Sequence, residues 1–286
     1  MATTPRDAST VLPLRNGPGG LEVFMVKRSS NLGFLGGHHV FPGGAVDDQD
    51  ADPALAELID GFDAAECARR FGIDDAVRAR AHVVAAIREL FEESGILLAR
   101  DDGDGDEQRQ ERFQAARRLV ASGELPFLRF LADEGLRLQA GDLWYYAHWI
   151  TPESGEKRFD TRFFVARMPD GQSAEHDRHE SIEGEWVRPR VALERYAKRQ
   201  IELVPPTICS LDRLALHDSV EEVIEAARTL DVVDVIPRIT LLDDTITILY
   251  PGDDDYESGV ARPTESGKML NRLVLRDGIW VRPQVK

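Results

Sequence analysis

An α+β fold is predicted by three features of this 286-residue chain: two apolar runs joined by a glycine-rich turn, a helix that crowds three carboxylates onto one side, and paired alternating segments further on. The apolar runs, residues 9–14 and 21–28, are linked through Asn16, Gly17, Pro18, Gly19 and Gly20 and read as a β-hairpin. Residues 40–46 follow as a strand end, Val40-Phe41-Pro42, running into Gly43 and Gly44, where a missing Cβ lets backbone approach a ligand closely. The segment 47–80 begins as a loop rich in aspartate (Asp47, Asp48, Asp50, Asp52). It continues as a helix started by Pro53 and running through Arg70, and Gly72 with Asp74 and Asp75 then opens the next helix.

That next helix carries Arg88-Glu89-Leu90-Phe91-Glu92-Glu93-Ser94-Gly95-Ile96. At helical spacing Glu89, Glu92 and Glu93 fall within an arc of about 100°, and His82, Ala85 and Ala86 continue that face toward the N-terminus. Val83, Val84, Ile87, Leu90 and Phe91 occupy the other side, so an apolar face packs into a core while a carboxylate face, with room left by the alanines, is offered to a ligand. Like charges at this spacing oppose a bare helix by a few tenths of a kcal/mol per pair. Magnesium or manganese, which favour hard oxygen ligands, would reverse that sign. A solvated acidic face is the plainer alternative for such a run taken alone.

Beyond the helix, Asp101, Asp102, Asp104 and Asp106 with two glycines form an acidic loop that lacks the full ligand pattern of a calcium loop and reads as linker. Helices are expected at 111–121 and 127–134, and paired strands at 143–150 and 159–168, with a short strand at Glu185-Trp186-Val187. Helices follow at 191–200 and 219–229, the second with Ser219 and Glu222 at capping-box spacing. Residues 239–250 and 273–281 read as strands, the latter turning through Asp277-Gly278. There is no internal repeat.

At 42% hydrophobic the chain can bury a large core. Its net charge of −16 argues against a general polynucleotide binder, which needs a basic track. A small phosphorylated substrate stays compatible because bound cations offset the repulsion locally. No run of 18 apolar residues and no basic-then-apolar start is present, so neither a membrane span nor a signal peptide is expected, and the chain reads as cytoplasmic. Cys67 and Cys209 lack metal spacing and read as buried free thiols. His176 and His179 have no second pair of soft ligands to complete a zinc site, and His38-His39 are expected to line or pack against the cleft.

Residues 88–96, preceded by Val40-Phe41-Pro42-Gly43-Gly44, resemble the signature of the Nudix hydrolases, G-x5-E-x7-R-E-U-x-E-E-x-G-U with U aliphatic. The second half matches at every specified position. In the first half Gly44 fits the leading glycine, but the acidic position six residues on is Asp50, and about 30 residues are inserted before Arg88. That interruption resembles the split box of the peroxisomal coenzyme A diphosphatase subgroup and its bacterial relatives. So do Lys27-Arg28-Ser29-Ser30, Trp149-Ile150-Thr151-Pro152, the stretch from Arg158 to Phe164, and Leu203-Val204-Pro205-Pro206.

The resemblance implies a Nudix α/β/α sandwich with a mixed central sheet, spanning residues 1–216, with the helical insertion at about 47–80 and a C-terminal helix-and-strand extension, 217–286, packed on the same domain. It implies a diphosphatase using Mg2+ or Mn2+, with Glu92, Glu93, Glu89 and the Gly43 carbonyl as ligands, Glu89 alternatively the general base, and Arg88 orienting the carboxylates. A further acidic residue is expected from the loop before Trp186: Glu180, six residues earlier, with Glu183 second, although a solvated loop carboxylate explains either. Lys27, Arg28, Arg158 and Arg162 are the candidate cations for substrate phosphates. The partner is a small nucleoside diphosphate derivative, with coenzyme A leading although Gly33 stands where related enzymes carry an arginine. ADP-ribose or NADH is the alternative substrate, and a ligand-sensing module without catalysis is the alternative class. A homodimer is compatible with the chain. The insertion, leaving the glycine loop and returning into the carboxylate helix, is expected to pack beside the cleft and shape substrate choice.

Overall fold

The computed structural model describes residues 3–31, 35–100, 107–155, 157–177, 181–263 and 270–283. Gly33, the loop at 101–106, His179 and Glu180 lie outside the described residues. In chain order come β1 (Arg6–Gly17), β2 (Gly20–Arg28), β3 (His39–Val40), β4 (Gly43–Ala45), β5 (Ile59–Asp60), α1 (Ala64–Phe71), α2 (Ala76–Ser94) and β6 (Ala99–Arg100). Next are α3 (Glu107–Ala121), α4 (Phe127–Asp133), β7 (Arg137–Gln139), β8 (Leu143–Ile150), β9 (Phe159–Arg167) and β10 (Ser181–Val187). Then follow α5 (Pro189–Ala197), α6 (Pro205–Leu214), α7 (Val220–Thr229), β11 (Asp234–Val235), β12 (Arg238–Leu242), β13 (Thr245–Leu249), β14 (Arg272–Arg276) and β15 (Ile279–Val281).

The main sheet runs β10-β2-β1-β9-β8-β11, with β3 paired to β2 and β4 to β1. It is mixed: β1 lies parallel to β9, and β11 parallel to β8, while the other pairs are antiparallel. Strand alternation divides two cores between its faces. Leu12, Leu14, Phe163 and Val165 face a core shared with α5, α6 and α7, whereas Val11, Phe164 and Ala166 face one shared with α1, α2, α3 and α4. Helices on both faces of a mixed sheet make the expected α/β/α sandwich.

The insertion departs from the single helix expected at 53–70. A 3-10 turn at Pro53–Leu58 gives way to β5, which pairs in parallel with β7, and Gly61 turns the chain at φ +68° before Asp63 caps α1. Gly72, at φ +65°, ends α1 in the left-handed region, and Asp75 caps α2 through the Val77 and Arg78 N–H groups. Two Asp caps and a left-handed glycine thus set the bounds of α1 and α2, which pack against each other. α6 was not expected from the sequence; Pro205 at its first turn is the signal that could have marked it.

The C-terminal extension supplies α7 and β11 to the sandwich and adds a separate sheet, β12-β13-β14-β15. The run expected as one strand at 239–250 is a hairpin, because Asp243 and Asp244 both take positive φ and make a two-residue turn. Asp277-Gly278 makes the second turn in the same way, as expected. The extension is tied to the main core through Ile248, Tyr250 and Leu273, which pack with Trp149. Within it, Arg272 is fully buried and is paired with Asp253 and Asp255.

Candidate active site

α2 is more deeply buried than a helix with one open face. Ser9 of β1 donates through Oγ to the His82 carbonyl at 2.8 Å, and Ala85 and Ala86 are fully buried, so the small residues let the helix close onto β1. The His82-Ala85-Ala86 face therefore packs against the sheet, a correction to the expectation that it leaves room beside the carboxylates. Only the last turns bring that face to a cavity.

There the box, split in sequence, closes in space. Arg88, with 3% of its side chain exposed, donates through Nε to Asp50 Oδ1 at 2.8 Å and through Nη2 to Asp50 Oδ2 at 2.9 Å. Its Nη2 also reaches the Ala45 carbonyl at 3.0 Å, and Nη1 reaches Glu89 Oε1 at 2.8 Å and Glu92 Oε1 at 3.2 Å. One edge of the guanidinium is thus anchored on a buried carboxylate 38 residues away while its far nitrogen faces the glutamates. Burial alone would disfavour the Arg88 charge, but the Asp50, Glu89 and Glu92 carboxylates raise its pKa instead.

Glu93 Oε2 accepts the Gly43 N–H at 3.1 Å, and its Oε1 lies 3.9 Å from Arg28 Nη1. Glu89 lies against Gly44: a Cβ there would collide with the Glu89 carboxylate and push it from its place beside Arg88. A Cβ at Gly43 would meet the Ser9 carbonyl at 2.5 Å, so that glycine is required by the close β1–β4 pairing. Burial pushes Glu89 up to about 7, with Arg88 pulling it down and the Glu92 charge adding to the rise; Glu92 is raised mainly by burial as well.

The donor chemistry of Glu89, Glu92 and Glu93 is all hard oxygen and fits Mg2+ or Mn2+. Glu89 and Glu92 are carboxylates that burial holds above the usual range despite Arg88, the electrostatic setting in which a divalent cation is favoured. As placed, no three acidic, His or Cys side chains among the described residues form a ready ligand cluster. Arg88 Nη1 instead bridges Glu89 and Glu92.

A cleft of about 590 Å³ opens at this point, with Glu89, Glu93, Gly43, Gly44 and Arg28 at one part of its lining. The rest comes from the segments that carried the subgroup resemblance: Trp149, Ile150, Thr151 and Pro152, then Phe159, Thr161 and Phe163, then Val204, Pro205 and Pro206. Arg6 and Thr10 also line it, residues no sequence signal singled out. So do Pro237, Ile239 and Ile248 of the C-terminal extension.

Two of the four candidate cations are misplaced by the strand period. On β9 the residues facing the cleft are Phe159, Thr161 and Phe163, so Arg162 points to the opposite face. It is 2% exposed and donates to Asp160 Oδ1 at 2.9 Å and the Phe71 carbonyl at 2.9 Å, with His82 Nε2 at 3.1 Å. Arg158 donates to the Thr151 and Thr3 carbonyls at 3.1 and 2.6 Å and fastens the chain ends of β8 and β1. Both are structural, and neither lines the cleft. Lys27 sits opposite His39 and Glu183 in the sheet, half-buried and outside the lining. Glu183 is exposed on β10 and does not line the cleft either, whereas Glu185 accepts a bidentate contact from Arg195 Nη1 at 2.7 Å. His39 is 3% exposed with Nε2 3.9 Å from Glu185 Oε1, and His38 is half-buried beside Glu202; neither lines the cleft. Cys67 and Cys209 are free and half-buried, and burial pushes both thiols up to about 11.

The insertion contributes no lining residue between 46 and 80 among the described residues; α1 packs on α2, and Phe71 meets Tyr145 at a tilt and Phe164 edge-on behind the sheet. The expectation that it shapes the cleft is corrected accordingly: capping and sheet pairing turn it to the far face.

Fold and site together define a Nudix diphosphatase, an enzyme acting on phosphorus anhydrides, and the chain belongs to the Nudix hydrolase family. A family model described as the NUDT19 Nudix domain matches residues 73–214. The chain is similar to the acyl-coenzyme A diphosphatase NUDT19 of Xenopus laevis, 26% identical over 331 residues and covering 95% of this chain and 86% of that protein. It is 27% identical over 275 residues to the Homo sapiens protein of the same name, covering 83% of this chain and 72% of that one. The crystal structure of a Nudix hydrolase from Alicyclobacillus acidocaldarius matches with a TM-score of 0.61 at 28% identity, covering 81% of this chain and 99% of that one. Among the described residues no helix is long and apolar enough to cross a membrane.

Proposed function

We propose that the enzyme cleaves the diphosphate of coenzyme A and its acyl derivatives in a reaction that depends on Mg2+ or Mn2+. The observation that carries this reading is the composition of a single cleft: glycines, carboxylates and Arg28 at one part, and a lining of Trp149, Ile150, Phe159, Phe163 and prolines over the rest. A nucleoside diphosphate bearing a long, weakly polar arm matches that division. The names of the NUDT19 relatives, acyl-coenzyme A diphosphatases, support it.

In this reading Glu89, Glu92 and Glu93 hold the cation, with the Gly43 backbone beside them. A bound cation supplies neutralisation of the phosphoryl oxygens and a water activated for attack. Arg88, fixed by Asp50, positions Glu89 and Glu92 by charge-assisted hydrogen bonds. Gly43 and Gly44 let the diphosphate approach the carboxylates without a side chain between them. Of the four cations expected from sequence Arg28 is kept, and Arg6 on the cleft rim takes the place of Lys27, Arg158 and Arg162 as a contact for the substrate's phosphates. Glu180 is retained as the proposed additional acidic group.

The test is phosphate-anhydride cleavage of coenzyme A, its dephospho form, ADP-ribose and NADH, with and without Mg2+ or Mn2+, and identification of product masses. Coenzyme A is expected to yield a 3′-phosphorylated AMP and a phosphopantetheine, with lower kcat/KM on the dephospho form. Higher efficiency on ADP-ribose or NADH than on coenzyme A compounds would replace the substrate assignment.

A further inference from the structure

The apolar wall of the cleft continues beyond it onto the C-terminal extension. In the β12–β13 hairpin Ile239 stands opposite Ile248, and Leu241 opposite Ile246. Directly paired residues, and residues two apart along a strand, share one face of a sheet. These four side chains therefore form one stripe. Its inner end is Ile248, 5% exposed, paired with Leu273 on β14 and packed in the same core as Trp149 and Tyr250. Its outer members are open to solvent, Ile246 at 41%, Ile239 at 55% and Leu241 at 60%. Since Ile239 and Ile248 both line the cleft, stripe and cleft are one continuous surface.

We propose that this hairpin face binds the acyl chain of an acyl thioester of coenzyme A and makes the enzyme sensitive to chain length. The inference deepens the function proposed above and rests on it. Strand order fixes the geometry: the carboxylates and glycines gather at β4 and β1, and the path to the hairpin crosses β9 and β8. Two strand spacings amount to about 10 Å, so a group on the hairpin is joined to the diphosphate by a linker at least that long. A pantetheine arm provides one. The second nucleoside of a dinucleotide would bring ribose and base hydrogen-bonding groups to four side chains that offer none in return, and leaving such groups unpaired is costly. An alkyl chain asks for nothing but apolar area.

The test compares kcat/KM for acetyl-, octanoyl- and dodecanoyl-coenzyme A in the full chain and in two variants, Leu241→Ser/Ile246→Ser and Ile239→Ala, each checked for an unchanged melting temperature. All three positions are substantially exposed, so the fold is expected to tolerate them. The unsubstituted enzyme is expected to gain at least about tenfold in kcat/KM from acetyl to dodecanoyl, which is what two fully buried methylenes would give. In both variants the ratio of dodecanoyl to acetyl should fall to about threefold or less. No rise with chain length, or the same ratio in variants and parent, overturns the proposal while leaving coenzyme A cleavage intact. Cleavage of ADP-ribose without cleavage of any coenzyme A compound overturns the underlying substrate reading instead. A dimer that the serine substitutions dissociate, with an unchanged chain-length ratio, would assign the stripe to a second copy of the chain and overturn the proposal as well.

Discussion

Asp50→Ala isolates the contact that closes the split box. Asp50 is 1% exposed and accepts from Nε and Nη2 along one edge of the Arg88 guanidinium, and its Oδ2 also accepts the Asp47 N–H at 2.9 Å. Breaking a buried bidentate pair by removing one partner costs about 3 to 5 kcal/mol, because the remaining charge stays buried. Losing the capping contact adds about 1 kcal/mol. An unfolding entropy of about 2.1 cal/mol/K per residue over 286 residues gives about 0.6 kcal/mol/K. A loss of about 4 to 6 kcal/mol then lowers the melting temperature by about 7 to 10 °C, read by scanning calorimetry at neutral pH. Released from Asp50, the guanidinium keeps Glu89, Glu92 and the more distant Asp47 as carboxylate partners, the two glutamates being the nearer, so activity at limiting Mg2+ or Mn2+ should fall more than activity at saturating metal. The double substitution Asp50→Leu/Arg88→Met should recover most of the melting temperature without recovering activity, since two matched apolar groups leave no orphaned charge. A fall of under about 2 °C in Asp50→Ala, or unchanged metal dependence, would refute the anchoring role.

Glu92→Gln and Glu93→Gln remove charge without volume and should each lower turnover at least about a hundredfold; near-normal turnover of either folded variant at saturating metal would sink their assignment as ligands. Arg162→Met should cost about 1 to 3 kcal/mol by stripping its hydrogen bonds from Asp160, His82 and the Phe71 carbonyl, while His148 still holds Asp160 and Ser9 Oγ still meets His82 Nδ1, yet leave the KM of the folded enzyme unchanged, and a raised KM at an unchanged melting temperature would return Arg162 to the substrate site. Asp255 offers a pH test: burial works to raise it, but the Arg262 N–H and the Arg262 and Arg272 guanidinium groups hold it down to about 2. A depressed carboxylate contributes stability that is present above its unfolded pKa of about 3.9 and lost as pH falls through the folded value. The melting-temperature gap between the parent and Asp255→Asn should therefore be full at pH 5, shrink below about 4 and close near 2; a gap that widens on acidification would contradict that reading.

How far the sequence reached depends on the range of each interaction. The carboxylates of α2 were legible because a helix fixes neighbours at three and four residues from local geometry alone, and β1, β2, β8, β9, α5 and α7 were legible from apolar period and caps. The segments resembling coenzyme A diphosphatases were found as separate words; that Trp149, Phe163 and Pro205 share one cavity is a property of the sheet order. The Arg158 and Arg162 assignments failed because a cation's chemistry says nothing about which face of a strand it occupies, although the alternation of Phe159, Thr161 and Phe163 was there to read.

What the sequence by itself determined is the reactive chemistry: three glutamates on one helical turn, an arginine among them, and two glycines that leave room for the carboxylates. What only the tertiary structure decided is where that chemistry meets its substrate. Asp50 reaches Arg88 across 38 residues because two Asp-capped turns and a parallel β5–β7 pair fold the insertion back behind the sheet. The cleft wall then comes from Pro237, Ile239 and Ile248, about 150 residues from the glutamates in sequence. Contacts of that separation are set by which apolar faces bury one another, and no local pattern encodes the partner.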